Sequence, residues 1–259
     1  MFEISILLMI VIFVFGAFLK GWSGFGTNLV VPPLLLFLSR FDSSKEVMVF
    51  VVTVNLFLNL FMIIQGKKFS LKFLSEIWVL VVTGVLFNFV GVYFFKEIDD
   101  ALFRVLLGSA IILVALNRIF KLKLHFKEIT WKHYLITGIF SGILNGMFGL
   151  GGIPVLILLG STKMDKVKFK TTLVTYFFVM NLMFIISQGI IAKSYNMFII
   201  NNILIVFIFA ILGCVIGVVM SSRVSDKIFQ RVMNFVLIFF GINLIYVGFM
   251  GKHIFTIFS

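Results

Sequence analysis

The sequence predicts an all-α integral membrane protein made of two homologous repeats. Each repeat is a helical hairpin broken at glycine and proline, followed by three transmembrane helices. Three observations carry this reading. The 259 residues are 61% hydrophobic with a mean hydropathy of +1.20, and only 12% are charged; a soluble domain carries about 25% charged residues. The charges are bunched, so that residues 47–66, 77–95, 171–192 and 232–251 contain no Asp, Glu, Lys or Arg. Finally, the chain resembles itself at an offset near 125 residues.

A bilayer core about 30 Å thick needs ~20 apolar residues per helix, and the uncharged runs have that length. The alternation of a membrane barrel is absent, so helices are the spanning elements. The first repeat, residues 1–125, begins with a broken apolar stretch over 4–39 and continues with helices over about 46–66, 73–95 and 101–120. The second, residues 126–259, has its broken stretch over 134–162 and helices over about 168–192, 197–221 and 228–250.

Three anchors define the repeat. GWSGFGTNLVVPPLLLF at 21–37 corresponds to GMFGLGGIPVLIL at 146–158, with Gly24 over Gly149 and Gly26 over Gly151. NLFMIIQG at 59–66 corresponds to NLMFIISQG at 181–189, and Phe103 and Asn117 fall over Phe229 and Asn243.

The way each broken stretch crosses decides the topology. If it crossed once with a kink, the halves would be parallel and the Lys and Arg residues would divide almost evenly. If it turns at its glycines and returns, the halves are inverted. Loops 66–72, 118–133, 163–170 and 223–231 then share one side and carry 15 basic residues, against 6 on the other side. That positive-inside bias favours inverted repeats with both termini outside. It also accounts for the formal net charge of +12 without a nucleic-acid partner. The Met-Phe-Glu start lacks the basic region of a signal peptide, so the first segment is expected to be retained. Inverted repeats with broken helices are the architecture of many secondary transporters, whose substrate sites lie near the membrane midplane. The expected site lies there, between the two glycine-rich tips.

The same glycine–proline segments resemble the TauE/SafE sulfite exporter family. Gly149-Leu-Gly151-Gly152-Ile-Pro154 is close to the family's G-x-G-G-P-P variant. The run from Asp165-Lys166 to Thr172-Leu173 is similar to its D-K-x-x-F-R-A-T-L segment. The first half departs at Thr27 and Asn28, where further glycines are usual, and Lys170 and Thr171 replace Arg and Ala. The resemblance covers essentially the whole chain. It implies a multi-pass protein of the cytoplasmic membrane that exports small sulfur-containing anions such as sulfite or sulfonates. A passive anion channel and an uptake permease for another small organic acid are the alternatives.

Candidate substrate-binding residues cluster at the breaks. Gly24, Gly26, Gly149, Gly151 and Gly152 lack Cβ, so the backbone there can take positive φ, approach a ligand and turn successive N–H groups toward an anion. Helices starting near Asn28 and Ile153 would add partial positive charge. Pro32, Pro33 and Pro154 mark the helix break, within the first turns or just beyond, where a missing N–H costs little. Lys20 is a cation within an apolar stretch, a functional candidate at membrane depth. Ser23 and Thr27 offer hydroxyls, and Asn28 and Asn145 flank the turns. Against these stand packing around glycine and a lysine snorkelling to the surface. The Gly138–Gly142–Gly146 and Gly213–Gly217 ladders read as helix packing, which makes a homodimer a further expectation.

No Asp, Glu or His lies deep in an apolar run, and Cys214 is the single cysteine. No nucleophile triad or phosphate loop is present, so an enzyme is not expected. Neither a metal nor a cofactor is expected, since no ligand cluster is spaced for one. The expected partners are a small anion and the lipid bilayer.

Overall fold

The computed structural model describes residues 2–23, 26–38, 43–66, 70–120, 129–162, 164–193, 195, 197–220 and 226–251. Among these residues every regular element is a helix. Helix α1 (Phe2–Ser23) and α2 (Thr27–Leu38) form the first broken hairpin, followed by α3 (Ser44–Gly66). A short α4 (Leu71–Ser75) precedes α5 (Trp78–Glu97) and α6 (Asp100–Phe120). The second repeat opens with α7 (Trp131–Phe148) and α8 (Gly152–Gly160). Then come α9 (Lys166–Ser187), α10 (Met197–Met220) and α11 (Asp226–Met250). A π-helical turn, Gln188–Ala192, ends α9. The helix expected from residue 73 is therefore two elements, with Ser70 capping α4 by accepting from the Phe73 N–H.

Among the described residues six helices are long and apolar enough to cross a membrane: α3, α5, α6, α9 with its π turn, α10 and α11. Helix α10 shows why a bilayer is its solvent. Ile200, Leu204, Ile208, Leu212 and Ile216 recur every fourth residue and are all exposed. An apolar stripe that faces outward over four turns is stable only against lipid.

The chain forms two compact units that do not follow the sequence repeats. Unit 1 comprises Met1–Val54, Ile98–Leu122 and Asn196–Ser259; unit 2 comprises Asn55–Glu97 and Lys123–Tyr195. Each takes helices from both halves of the sequence. In unit 1, α1 packs on α10 and α6 on α11; in unit 2, α5 packs on α7.

Glycines set these crossings. A Cβ on Gly21 would collide with the carbonyl of Cys214, one on Gly217 with that of Phe18, and one on Gly213 with that of Val14. Rising α1 numbers meet rising α10 numbers, so the two helices run parallel. Gly91 against Ile143, Gly142 against Gly84 and Gly146 against Asn88 make α5 and α7 parallel as well. In contrast, Gly248 meets Ala101 and Gly108 meets Gly241, so α6 and α11 are antiparallel. Such close backbone approach replaces the hydrophobic drive that lipid removes.

Apolar packing fills the rest of each unit. In unit 1, Phe13 meets Phe50 edge-on at 5.2 Å and Phe37 meets Phe240 at 5.3 Å. In unit 2, Leu74 and Ile77 join Val155, Leu159, Leu173, Tyr176 and Met180 in one buried cluster.

Candidate functional site

Both broken hairpins turn back on themselves, by different means. In unit 1, Gly26 has φ 131°, which only glycine adopts readily. Its carbonyl accepts from the Leu29 and Val30 N–H groups, 3.0 Å each, and so starts α2. Thr27 Oγ1 donates to the Gly16 carbonyl at 3.3 Å, and Gly16 leaves room for Val31, so α2 lies along α1. In unit 2, Gly149 is left-handed at φ 61° and ψ 19° and caps α7. Its N–H donates to Asn145 O at 2.8 Å and the Leu150 N–H to Leu144 O at 3.2 Å, which satisfies carbonyls that the helix end leaves open.

The other expected glycines differ. Gly151 is right-handed at φ −59°, and only Gly26 and Gly149 among the five have positive φ within the described residues. A Cβ on Gly151 would lie 2.6 Å from Asn145 Cβ and Ser141 O, and one on Gly152 would lie 2.5 Å from the Phe177 ring. These two glycines make room for protein rather than bending the chain. Pro154 is the third residue of α8, where no donor is missed. Pro32 and Pro33 lie inside α2 at its sixth and seventh positions, just beyond the first turn as expected. They deprive the Asn28 and Leu29 carbonyls of their helical donors, yet α2 continues to Leu38. The breaks are therefore made at the glycines.

Lys20 lies in the last turn of α1 and is buried, with 2% of its surface exposed. Thr27 and Asn28 are buried in the first turn of α2. Gly24 and the Ser23 side chain lie outside the described residues.

Asn145 is buried on α7, and both hydrogens of its amide are engaged. Nδ2 donates to Asn88 Oδ1 and to the Met180 carbonyl, both at 2.9 Å. Asn88 Nδ2 donates in turn to Ser187 Oγ at 2.9 Å, and Ser187 donates to the Met183 and Phe184 carbonyls. Sequence reasoning put neither Asn88 nor Ser187 among its candidate ligands.

It missed a second group altogether. Tyr176 is completely buried, its hydroxyl 2.7 Å from Ser141 Oγ, and Ser141 donates to Gly151 O. Gly84 carries no side chain where Tyr176 Oη sits: a Cβ there would be 2.8 Å away. The available signal was the polar spacing Thr172–Tyr176 on one face of α9, which places hydroxyls at i and i+4.

Among the described residues no group of His, Cys, Asp and Glu is arranged to hold a metal ion. These described residues offer hydrogen bonding, close backbone approach and the buried Lys20.

The family model described as Sulfite exporter TauE/SafE matches residues 8–244. The probable membrane transporter protein MJ0441 of Methanocaldococcus jannaschii is 30% identical over 169 residues. That alignment covers 59% of this chain and 61% of the relative, so the chain spans less than two thirds of the length of the protein it matches. No solved structure matches the chain.

Proposed function

The chain belongs to the sulfite exporter TauE/SafE family, and we infer that it is a membrane transporter whose cargo is a small sulfur-containing anion, sulfite or an organosulfonate, which it exports across the cytoplasmic membrane as a secondary transporter. The anion binds at a glycine-broken hairpin near the membrane midplane, where secondary transporters hold their substrates. The observation that carries this reading is Lys20. An ammonium buried in a membrane helix costs about 3 kcal/mol on insertion scales and more in simulation. A bound anion offsets that cost. The antiparallel pairing of α6 with α11 supports inverted repeats, because those helices are repeat-equivalent and an in-plane two-fold axis reverses its mates.

Counterflow in liposomes tests the function. Purified protein is loaded with sulfite, thiosulfate, sulfate, sulfoacetate or taurine, with acetate and lactate as controls. Saturable, trans-stimulated exchange of a sulfur anion is expected. Conductance that does not saturate makes the protein a channel. Exchange of acetate or lactate alone overturns the cargo, and no flux of any anion overturns transport.

A further inference from the structure

Contacts among α7, α8 and α9 fix where the second break points. Tyr176 meets Ser141 and the Met180 carbonyl meets Asn145, so residues 35 apart lie level and α7 and α9 run parallel. After the turn the chain comes back down α7, because Gly151 lies against Ser141 and Asn145. Helix α8 continues in that direction. Gly152 abuts the Phe177 ring, while Val155 and Leu159 join the cluster of Leu173 and Ile77 nearer the starts of α9 and α5. Climbing α9 from Phe177 therefore leads off the N-terminal end of α8.

Asn181 is the next residue in that direction. It lies four residues beyond Phe177, on the same face and about 6 Å further along. A helical side chain leans back over the turn before its own Cα, so Asn181 carries its amide toward Gly152. Asn181 is buried, with 3% of its surface exposed, and its Nδ2 has no hydrogen-bond partner among the described residues. Asn145 on α7 differs, since both its amide hydrogens are committed. Buried polar groups are nearly always bonded, so an open donor marks the place of a partner.

The start of α8 adds to that donor. The turn spends the N–H groups of Gly149, Leu150 and Ile153 on its own carbonyls, and Pro154 has none. The Gly152 N–H has no backbone acceptor among the described residues, and Gly152 is only half-buried. A helix N-terminus brings partial positive charge to the same spot. The surrounding runs 78–95, 134–162 and 171–192 contain no Asp, Glu, Lys, Arg or His. An anion there meets donors and no rival charge.

We propose that Asn181 Nδ2 and the Gly152 N–H at the start of α8 form an oxyanion site in unit 2, which takes an oxygen of a small sulfonate or sulfite through neutral donors alone. This rests on the transporter reading above and deepens it. It makes Asn181 a substrate ligand and leaves Asn145 to hold the hairpin in shape.

Titration calorimetry of the purified full chain with methanesulfonate tests the site. In Asn181→Leu one bound anion is expected to weaken about tenfold, the cost of one hydrogen bond to a charged group. Its Tm without anion is expected to stay level or rise, because an apolar side chain of similar size replaces an unsatisfied amide. Asn181→Asp places a carboxylate where the anion sits and is expected to abolish binding of that anion. Native affinity in either variant overturns the proposal and leaves the transporter reading standing. A lowered Tm in Asn181→Leu together with native affinity makes the amide structural. If Asn181→Leu does not fold, Asn181→Asp decides. Wild type that binds no methanesulfonate overturns the site, and if it also exchanges no sulfur anion in counterflow, the transporter reading falls with it.

Discussion

Tyr176 and Ser141 meet hydroxyl to hydroxyl at 2.7 Å in the buried interior of unit 2. Ser141 uses its own proton on the Gly151 carbonyl, so Tyr176 must be the donor to Ser141. The chain Tyr176–Ser141–Gly151 thus has a direction, and it ties α9 through α7 to the start of α8.

That direction ranks two substitutions. Tyr176→Phe removes one donor and leaves Ser141 satisfied, at a cost of about 1 kcal/mol. Ser141→Ala leaves the tyrosine hydroxyl and the Gly151 carbonyl without this partner in a buried place, at a cost of about 2–4 kcal/mol for the two groups. Thermal unfolding in detergent should show Ser141→Ala melting below Tyr176→Phe. The reverse order would mean that the donor assignment is wrong.

Glycines at the crossings differ sharply from those that face open space. Gly146→Ala drives a methyl into the Asn88 carbonyl and forces α5 and α7 apart, which costs about 1–3 kcal/mol. Gly160→Ala meets nothing within 4 Å and removes a helix-unfavourable glycine, a gain of up to about 1 kcal/mol. Opposite signs of the change in Tm are expected, and equal changes would discount backbone contact as the basis of the pairing.

The second break separates conformation from space. Gly149→Ala must adopt φ 61°, costing about 1–2 kcal/mol, and Gly149→Asn should recover part of that because Asn tolerates the left-handed region. Gly151→Val meets a different obstacle. Its side chain would enter α7 at Asn145 and Ser141, so lost transport should come with a lowered Tm. A Gly151→Val protein as stable as wild type yet inactive would instead return Gly151 to direct contact with the anion.

One ion-paired capping site is expected to matter in unit 1. Asp100 accepts from the Ser44 N–H at 2.7 Å, from Ser44 Oγ at 3.0 Å and from Arg104 Nε at 2.7 Å. Its side chain keeps a third of its surface exposed, so the charge is partly screened. Asp100→Ala should cost about 1–2 kcal/mol. By comparison, the Lys168–Glu76 pair on unit 2 is more exposed, with the Lys168 ammonium also 5.4 Å from the centre of the Phe73 ring. Glu76→Gln should change stability by less than about 1 kcal/mol, and high salt should mask even that. A Glu76→Gln effect larger than that of Asp100→Ala would reverse this weighting.

Much of the molecule was legible from residue order alone. The uncharged runs determined the membrane helices, because lipid forces every spanning backbone to satisfy itself. The paired Gly–Pro segments located both breaks within a residue or two. Those are local or periodic properties, and a sequence carries them directly.

Tertiary structure decided the rest. These helices are apolar on nearly all faces, so periodicity cannot say which face is inside or which helix is the neighbour. Only contacts show α1 paired with α10 and α5 with α7, across the repeat boundary. Gly149 and Gly151 look alike in a motif, yet one needs positive φ and the other needs room. Asn145 flanks its turn as a candidate ligand would, until its two donors are found committed to Asn88 and Met180. A hydrogen bond has two ends, and where they are far apart in the chain only the fold brings them together.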